Sequence, residues 1–239
     1  MNASCLLCGE RLARDISWQQ LWQLKPLEFE CICPKCRATF KNYAETTQGC
    51  IGCGRPFHEK TAENYCYDCQ RWLEKYPKHF IQHTAILDYN DALREWLYAY
   101  KYQGDTRLAT VMKMPIQQFF KAKKEAVCLV LPSSPKSLAE RGFHATHYLL
   151  ECANIPAICP FTYIGDGNKQ AKKNRQERLA LVQPFSLEKR MLEPFLEKEW
   201  WVFDDVYTTG TTLLKAKELL FQMKETGIHS VTLGRDTTV

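Results

Sequence analysis

The chain has 239 residues, of which 45% are apolar and 25% charged; that balance excludes wholesale disorder and sets an expectation of one or two packed domains. The longest uninterrupted apolar stretches are a handful of residues, such as 200–203, far short of the roughly 20 that a membrane-spanning helix needs. The formal charge of +5 counts every thiol as neutral, whereas a zinc ion held by four thiolates carries −2; two such ions would bring the total to about +1, so global charge gives no argument for nucleic acid.

The opening residues lack the basic-then-apolar pattern of a secretory signal, and a cytoplasmic location is expected. Twelve cysteines are present, nine of them between Cys5 and Cys69. A cytoplasmic chain does not keep that density for disulfides, so metal binding is the expected use. Four Cys-x-x-Cys pairs occur: Cys5/Cys8, Cys33/Cys36, Cys50/Cys53 and Cys66/Cys69. Two intervening residues let one tight turn offer both sulfurs to a tetrahedral ion about 2.3 Å away. Gly9 and Gly54 directly follow their pairs, where a positive φ closes the turn. The expectation is one structural zinc on Cys5, Cys8, Cys33 and Cys36 and a second on Cys50, Cys53, Cys66 and Cys69, with a cross-brace as the alternative pairing. Cys31 is read as a small apolar filler, and His58 finds no vacancy beside four cysteines.

Past Cys69 the composition changes. Residues 88–91 offer capping side chains, and Leu93, Trp96, Leu97 and Tyr100 then recur at helical spacing, with Gly104 as a stop. An apolar run at 127–131, a helical stretch around 137–152 and apolar residues 155–164 follow. Lys169, Lys172, Lys173, Arg175 and Arg178, against the single acid Glu177, make a local charge of +4. Such a run reads first as a solvated face and second as a contact with single-stranded DNA phosphates. Next come an apolar strand at 200–203, a helix over 212–225 ended by Gly227, and a strand at 230–233. Strands alternating with helices predict an α/β fold with a parallel sheet.

The strand at 200–203 ends in Asp204 and Asp205, and Thr208, Thr209, Gly210, Thr211 and Thr212 then open a helix. Backbone N–H groups and hydroxyls converging on a helix N-terminus form an anion cradle. No Lys-Ser/Thr follows the glycine, so this is not a Walker loop. The two acids repel a second phosphate but accept hydrogen bonds from vicinal hydroxyls. One phosphate beside a diol describes a ribose 5-phosphate.

This segment resembles the phosphoribosyl pyrophosphate (PRPP) motif of type I phosphoribosyltransferases. The chain as a whole is similar to the ComF family, which joins a cysteine-rich double zinc ribbon to such a domain. Lys101-Tyr102-Gln103-Gly104-Asp105 resembles the family's Lys-Tyr-x-Gly-Asp, and Arg141-Gly142-Phe143 its Arg-Gly-Phe; His144-Ala145 stands where the family usually has Asn-Gln. The resemblance implies a double zinc ribbon over residues 1–78 and a phosphoribosyltransferase-like parallel sheet over 79–239. It implies that Asp204 and Asp205 bind ribose hydroxyls and that residues 208–212 hold the 5-phosphate. Ser133 and Ser134, with Lys136 and Arg141, would then meet pyrophosphate carried with magnesium, a hard ion suited to oxygen ligands. In this fold the basic segment also stands where a hood over the active site is found. The family points to an accessory role in natural transformation, with single-stranded DNA and uptake machinery such as a competence helicase as partners and recruitment to the inner face of the membrane. A phosphoribosyltransferase of nucleobase salvage is the alternative, and a purely structural zinc adaptor leaves the loop unexplained. No catalytic side chain is assigned.

Overall fold

The computed structural model describes residues 3–13, 22, 29–43, 49–57, 64–77, 82–165 and 183–236. Near the N-terminus β1 (Ala3–Ser4) and β2 (Arg11–Leu12) pair antiparallel around the first cysteine pair. Helices α1 (Pro34–Thr39) and α2 (Tyr67–Lys75) come next among the described elements, each opened by a cysteine at its N-cap, Cys33 and Cys66.

The central sheet begins with β3 (His83–Asp88), whose side chains alternate buried and half-buried. Helix α3 (Asp91–Tyr102) starts where expected: the Asn90 side chain accepts the Leu93 N–H at 3.0 Å. A 3-10 turn at Thr106–Met112 leads into α4 (Lys113–Phe120), then β4 (Val127–Val130). The helical stretch expected around 137–152 is two helices, α5 (Pro135–Arg141) and α6 (Ala145–Cys152). Gly142, at φ 78°, separates them, because a left-handed residue cannot continue an α-helix. The apolar residues 155–164 likewise divide. β5 (Ala157–Ile158) joins the main sheet, whereas β6 (Phe161–Tyr163) pairs antiparallel with β7 (Phe185–Leu187) outside it.

β8 (Trp200–Tyr207) runs four residues further than its apolar part: its ladder to β9 (Ile228–Arg235) continues through Asp204↔Thr232 and Tyr207↔Arg235. The acids therefore stand on a strand held by backbone pairing. Helix α7 (Thr211–Leu220) connects the two.

The sheet has the order β3-β9-β8-β4-β5 and is parallel throughout. From β4 the chain moves outward to β5, and from β8 it moves the other way to β9. The carboxyl ends of β4 and β8 thus flank a topological switch point, the place where open α/β sheets bind ligands.

Alternation along the strands sorts the core into two layers. Cys128, Val130, Trp201, Phe203, Val231 and Leu233 face α3, α4 and α6. On the other face Leu129, Leu131, Trp200 and Val202 meet α7 and Trp72 of α2. The edge strand β3 is covered by residues 41–43: Tyr43 N–H donates to the Ile86 carbonyl at 3.1 Å and Asp88 N–H to the Lys41 carbonyl at 2.9 Å, so its hydrogen-bonding edge is not left open to another chain. Among the described residues no helix is long and apolar enough to cross a membrane.

Lys217 in α7 is 1% exposed, and burial pulls its ammonium down to about 7. An unfolded lysine titrates near 10.4, so between those values the unfolded chain binds more protons and stability rises with pH. Lys217→Met is expected to raise stability at pH 7 by at least about 1 kcal/mol and to remove this rise between pH 7 and 9. Urea denaturation at both pH values checks it; an unchanged slope would show that the ammonium reaches water.

Candidate functional site

The cysteines gather into the two expected sets. In each set, Cys5/Cys8/Cys33/Cys36 and Cys50/Cys53/Cys66/Cys69, the four sulfurs lie within 4.8 Å of one another. The local reason is the same twice over. Cys5 and Cys50 carbonyls accept the N–H groups of Gly9 and Gly54 at 2.9 and 2.8 Å, closing turns in which the glycines take φ of 75° and 70°. Each second pair sits at a helix start, Cys33/Cys36 on α1 and Cys66/Cys69 on α2. The Cys8–Cys33 and Cys53–Cys66 sulfurs are 3.7 and 3.6 Å apart. A tetrahedron with 2.3 Å zinc–sulfur bonds has edges of about 3.8 Å, and a disulfide would need about 2.05 Å. Both sets could therefore each hold a zinc ion, and their pairing is sequential rather than cross-braced. Cys31 stands outside the first set; its carbonyl accepts the Leu6 N–H. His58 lies outside the described residues.

The two sets belong to different core layers. Cys5 and Cys33 pack with the α3 side of the sheet, and the second set packs with the α7 side. Cys8 is exposed, whereas all four members of the second set are buried.

At the carboxyl end of β8, the Asp205 carboxylate pairs with the Lys101 ammonium, both side chains 13% exposed. Burial pushes the Asp204 carboxyl up to about 6, against the pull of the Lys101 and Arg141 charges. Burial likewise lowers Lys101 to about 8; the Asp204 charge opposes that fall and Arg141 adds to it. Two acids and two bases thus share one partly dry corner in which Asp204 ionises just below neutrality. Arg141, at the end of α5, lies 5.8 Å from the Tyr102 ring centre.

Beyond the acids the loop turns sharply. Gly210 adopts φ 77°, and a Cβ there would fall 2.2 Å from the Tyr207 hydroxyl, so no other residue fits. The Thr209 and Thr211 hydroxyls are 2.9 Å apart, and α7 begins after Gly210 with no side chain capping its first amides. Such a helix start offers N–H groups to an anion. The register Val130↔Phe203 sets Ser133 and Ser134 just past β4, beside the acids on the neighbouring strand. The Ser134 hydroxyl is already engaged as the α5 N-cap, accepting the Ser137 N–H at 3.2 Å. Lys136 is exposed, 3.9 Å from Glu140 on the same helix. Lys169, Lys172, Lys173, Arg175 and Arg178 lie outside the described residues. A surface cavity of about 710 Å³ lined by residues 121–126 and 197–199 opens at the opposite, amino ends of β4 and β8, away from this corner.

Lys101 has no role in the sequence reading beyond its motif. The signal was available: it falls one turn past Leu97, on the apolar face of α3, where a charge needs a buried partner. Trp72 and Arg235 carried no such signal. The Trp72 indole donates to the Thr209 carbonyl at 2.9 Å, and Arg235 donates to the Cys53 sulfur at 3.0 Å.

No protein-family model matches the chain. The competence protein ComFC of Bacillus subtilis (strain 168) is 32% identical over 237 residues, 97% of this chain and 94% of that protein. The protein of the same name in Streptococcus pneumoniae (strain ATCC BAA-255 / R6) is 30% identical over 236 residues, 97% of this chain and 99% of its own length.

Protein purified under reducing, chelator-free conditions is expected to carry two zinc ions per chain by elemental analysis. Cys31→Ser should leave that number unchanged; loss of one ion would place Cys31 among the ligands.

Proposed function

The chain belongs to the ComF family of competence proteins, and we propose that it serves DNA uptake in natural transformation through a PRPP-binding site at the β4–β8 switch point. One observation carries the reading: the acid pair Asp204–Asp205 and the uncapped α7 start at Thr211 belong to one continuous strand–loop–helix unit. That spacing suits a vicinal diol and a phosphate attached to one ribose.

In this reading Asp204 and Asp205 accept hydrogen bonds from the ribose hydroxyls, and Lys101 keeps the pair from repelling itself apart. Thr208, Thr209, Thr211 and Thr212 offer hydroxyls to the 5-phosphate, with the Gly210 turn bringing backbone N–H groups close. Arg141, Lys136 and the Ser133 region offset the pyrophosphate charge; Ser134, occupied as a cap, contributes through its backbone. Magnesium entering with PRPP would supply the remaining positive charge. Where an acceptor attacks the anomeric carbon, its lone pair forms the new bond as the carbon–oxygen bond to pyrophosphate breaks. This chain's contribution to that displacement is positioning and electrostatic stabilisation. Residues 166–182 join β6 to β7, and their basic members are proposed to touch single-stranded DNA.

Titration calorimetry with magnesium–PRPP is expected to detect binding in the wild type and none in an Asp204→Ala, Asp205→Ala double variant that keeps its thermal transition. Unchanged affinity in the folded variant would mean that the acids serve the fold alone.

Single-strand binding supplies the second measurement. Replacing Lys172, Lys173 and Arg175 by alanine should lower the log–log salt slope by about 0.7 for each phosphate contact removed, with PRPP affinity little changed. Collapse of PRPP binding with an intact salt slope would make the segment an active-site hood and favour the salvage phosphoribosyltransferase.

A further inference from the structure

The second cysteine set and the phosphate loop are not separate sites. Helix α2, which carries Cys69 and is capped by Cys66, also carries Trp72, 4% exposed. The Trp72 indole N–H reaches across 137 positions to the Thr209 carbonyl at 2.9 Å. Tyr76, the residue after α2, accepts the Lys215 ammonium of α7 at 2.9 Å through its hydroxyl.

A second bridge starts at the sulfur itself. Arg235, 2% exposed, donates from Nη2 to Cys53 Sγ at 3.0 Å, while its guanidinium lies 4.8 Å from the Tyr207 ring centre. The Tyr207 hydroxyl fills the space beside Gly210 that a Cβ would need. The Asp236 N–H holds the Tyr207 carbonyl at 2.9 Å, and the His83 ring centre lies 4.3 Å from the Tyr207 ring centre. His83 is itself fixed between the Ser230 and Thr232 hydroxyls, each at 3.1 Å.

These contacts act on the groups that an anion would meet. A trans peptide is planar, so its C=O and the following N–H point in opposite directions. With the Thr209 carbonyl drawn onto Trp72, the Gly210 N–H is turned away from the cysteine set. Arg235 depends on the metal in its turn. Four thiolates around zinc carry −2, and a buried guanidinium needs a charged acceptor. When zinc leaves to a chelator, the four sulfurs lose the ion that gathers them at one point, and the Cys53 sulfur to which Arg235 donates is no longer held in place. Arg235 and the tyrosine beneath it then lose their fixed position.

We propose that the Cys50/Cys53/Cys66/Cys69 centre sets the anion affinity of the 208–212 loop, zinc there and PRPP at the loop binding with positive coupling through the positioning residues Trp72 and Arg235. The coupling rests on the PRPP reading of that loop and adds a partner site to it. Coupling of this kind is reciprocal: what zinc does for PRPP affinity, PRPP does for zinc affinity.

Zinc release to 4-(2-pyridylazo)resorcinol, followed by absorbance on the full-length protein with and without magnesium–PRPP, tests this directly. Saturating PRPP is expected to slow release of one of the two ions severalfold in the wild type and to have no effect in the Asp204→Ala, Asp205→Ala variant. Trp72→Phe keeps the ring and removes the donor. It should retain both zinc ions, bind PRPP about three- to tenfold more weakly, and lose the protection. Arg235→Met should release zinc faster and bind PRPP more weakly. A wild type that binds no PRPP in calorimetry overturns the PRPP reading and the coupling with it. A wild type that binds PRPP while zinc release stays the same overturns the coupling alone, and that comparison needs no variant to fold.

Discussion

A parallel sheet buries both faces, because its crossover connections leave no side for water. That requirement orders the molecule. Helices α3, α4 and α6 cover one face of the five strands, and α7 covers part of the other. The cysteine-rich segment supplies the rest: Trp72 on the α7 side, Cys5 and Cys33 on the α3 side, and residues 41–43 along the open edge of β3. A segment this poor in aliphatic residues cannot hold its shape by burial alone, and metal binding worth about 10–16 kcal/mol in small zinc modules is on the scale it requires. The cysteine segment and the sheet complete one another: each buries a surface that would otherwise face water.

The same economy operates at the carboxyl end of β8. Asp204 and Asp205 sit next to each other on a strand whose other neighbours are apolar, a placement that costs solvation. Lys101 and Arg141 offset that cost from outside the strand, one from the last turn of α3 and one from the last residue of α5. Both helices begin at conventional caps, Asn90 and Ser134, so their ends fall at fixed distances from the sheet. The charged corner is thus built from helix lengths as much as from the acids themselves.

What the sequence displayed was local. Paired cysteines two residues apart, a glycine after a tight turn, and a Thr/Gly loop after an apolar strand all act within a few residues of themselves, and they sit where expected. The strand at 83–88 was hidden because its apolar run is only Ala85–Leu87 and Asp88 reads as the start of the capping segment at 88–91. The helix at 113–120 was hidden by Pro115 and a half-apolar composition. β8 outran its apolar part because backbone pairing with β9 carried the acids along, a tertiary decision. Contacts such as Trp72 to Thr209 and Arg235 to Cys53 join residues 137 and 182 positions apart, and no spacing rule in one chain reveals them.

The unequal exposure of the two cysteine sets has a kinetic meaning. Cys8 stands at the surface while all four members of its counterpart set are buried. Oxidants and competing chelators reach the outer thiol without any unfolding, whereas the buried four are reached only through local opening. Zinc held by the two sets would therefore leave the outer one first under zinc scarcity or oxidative stress. The α3 side of the sheet would then loosen before the α7 side.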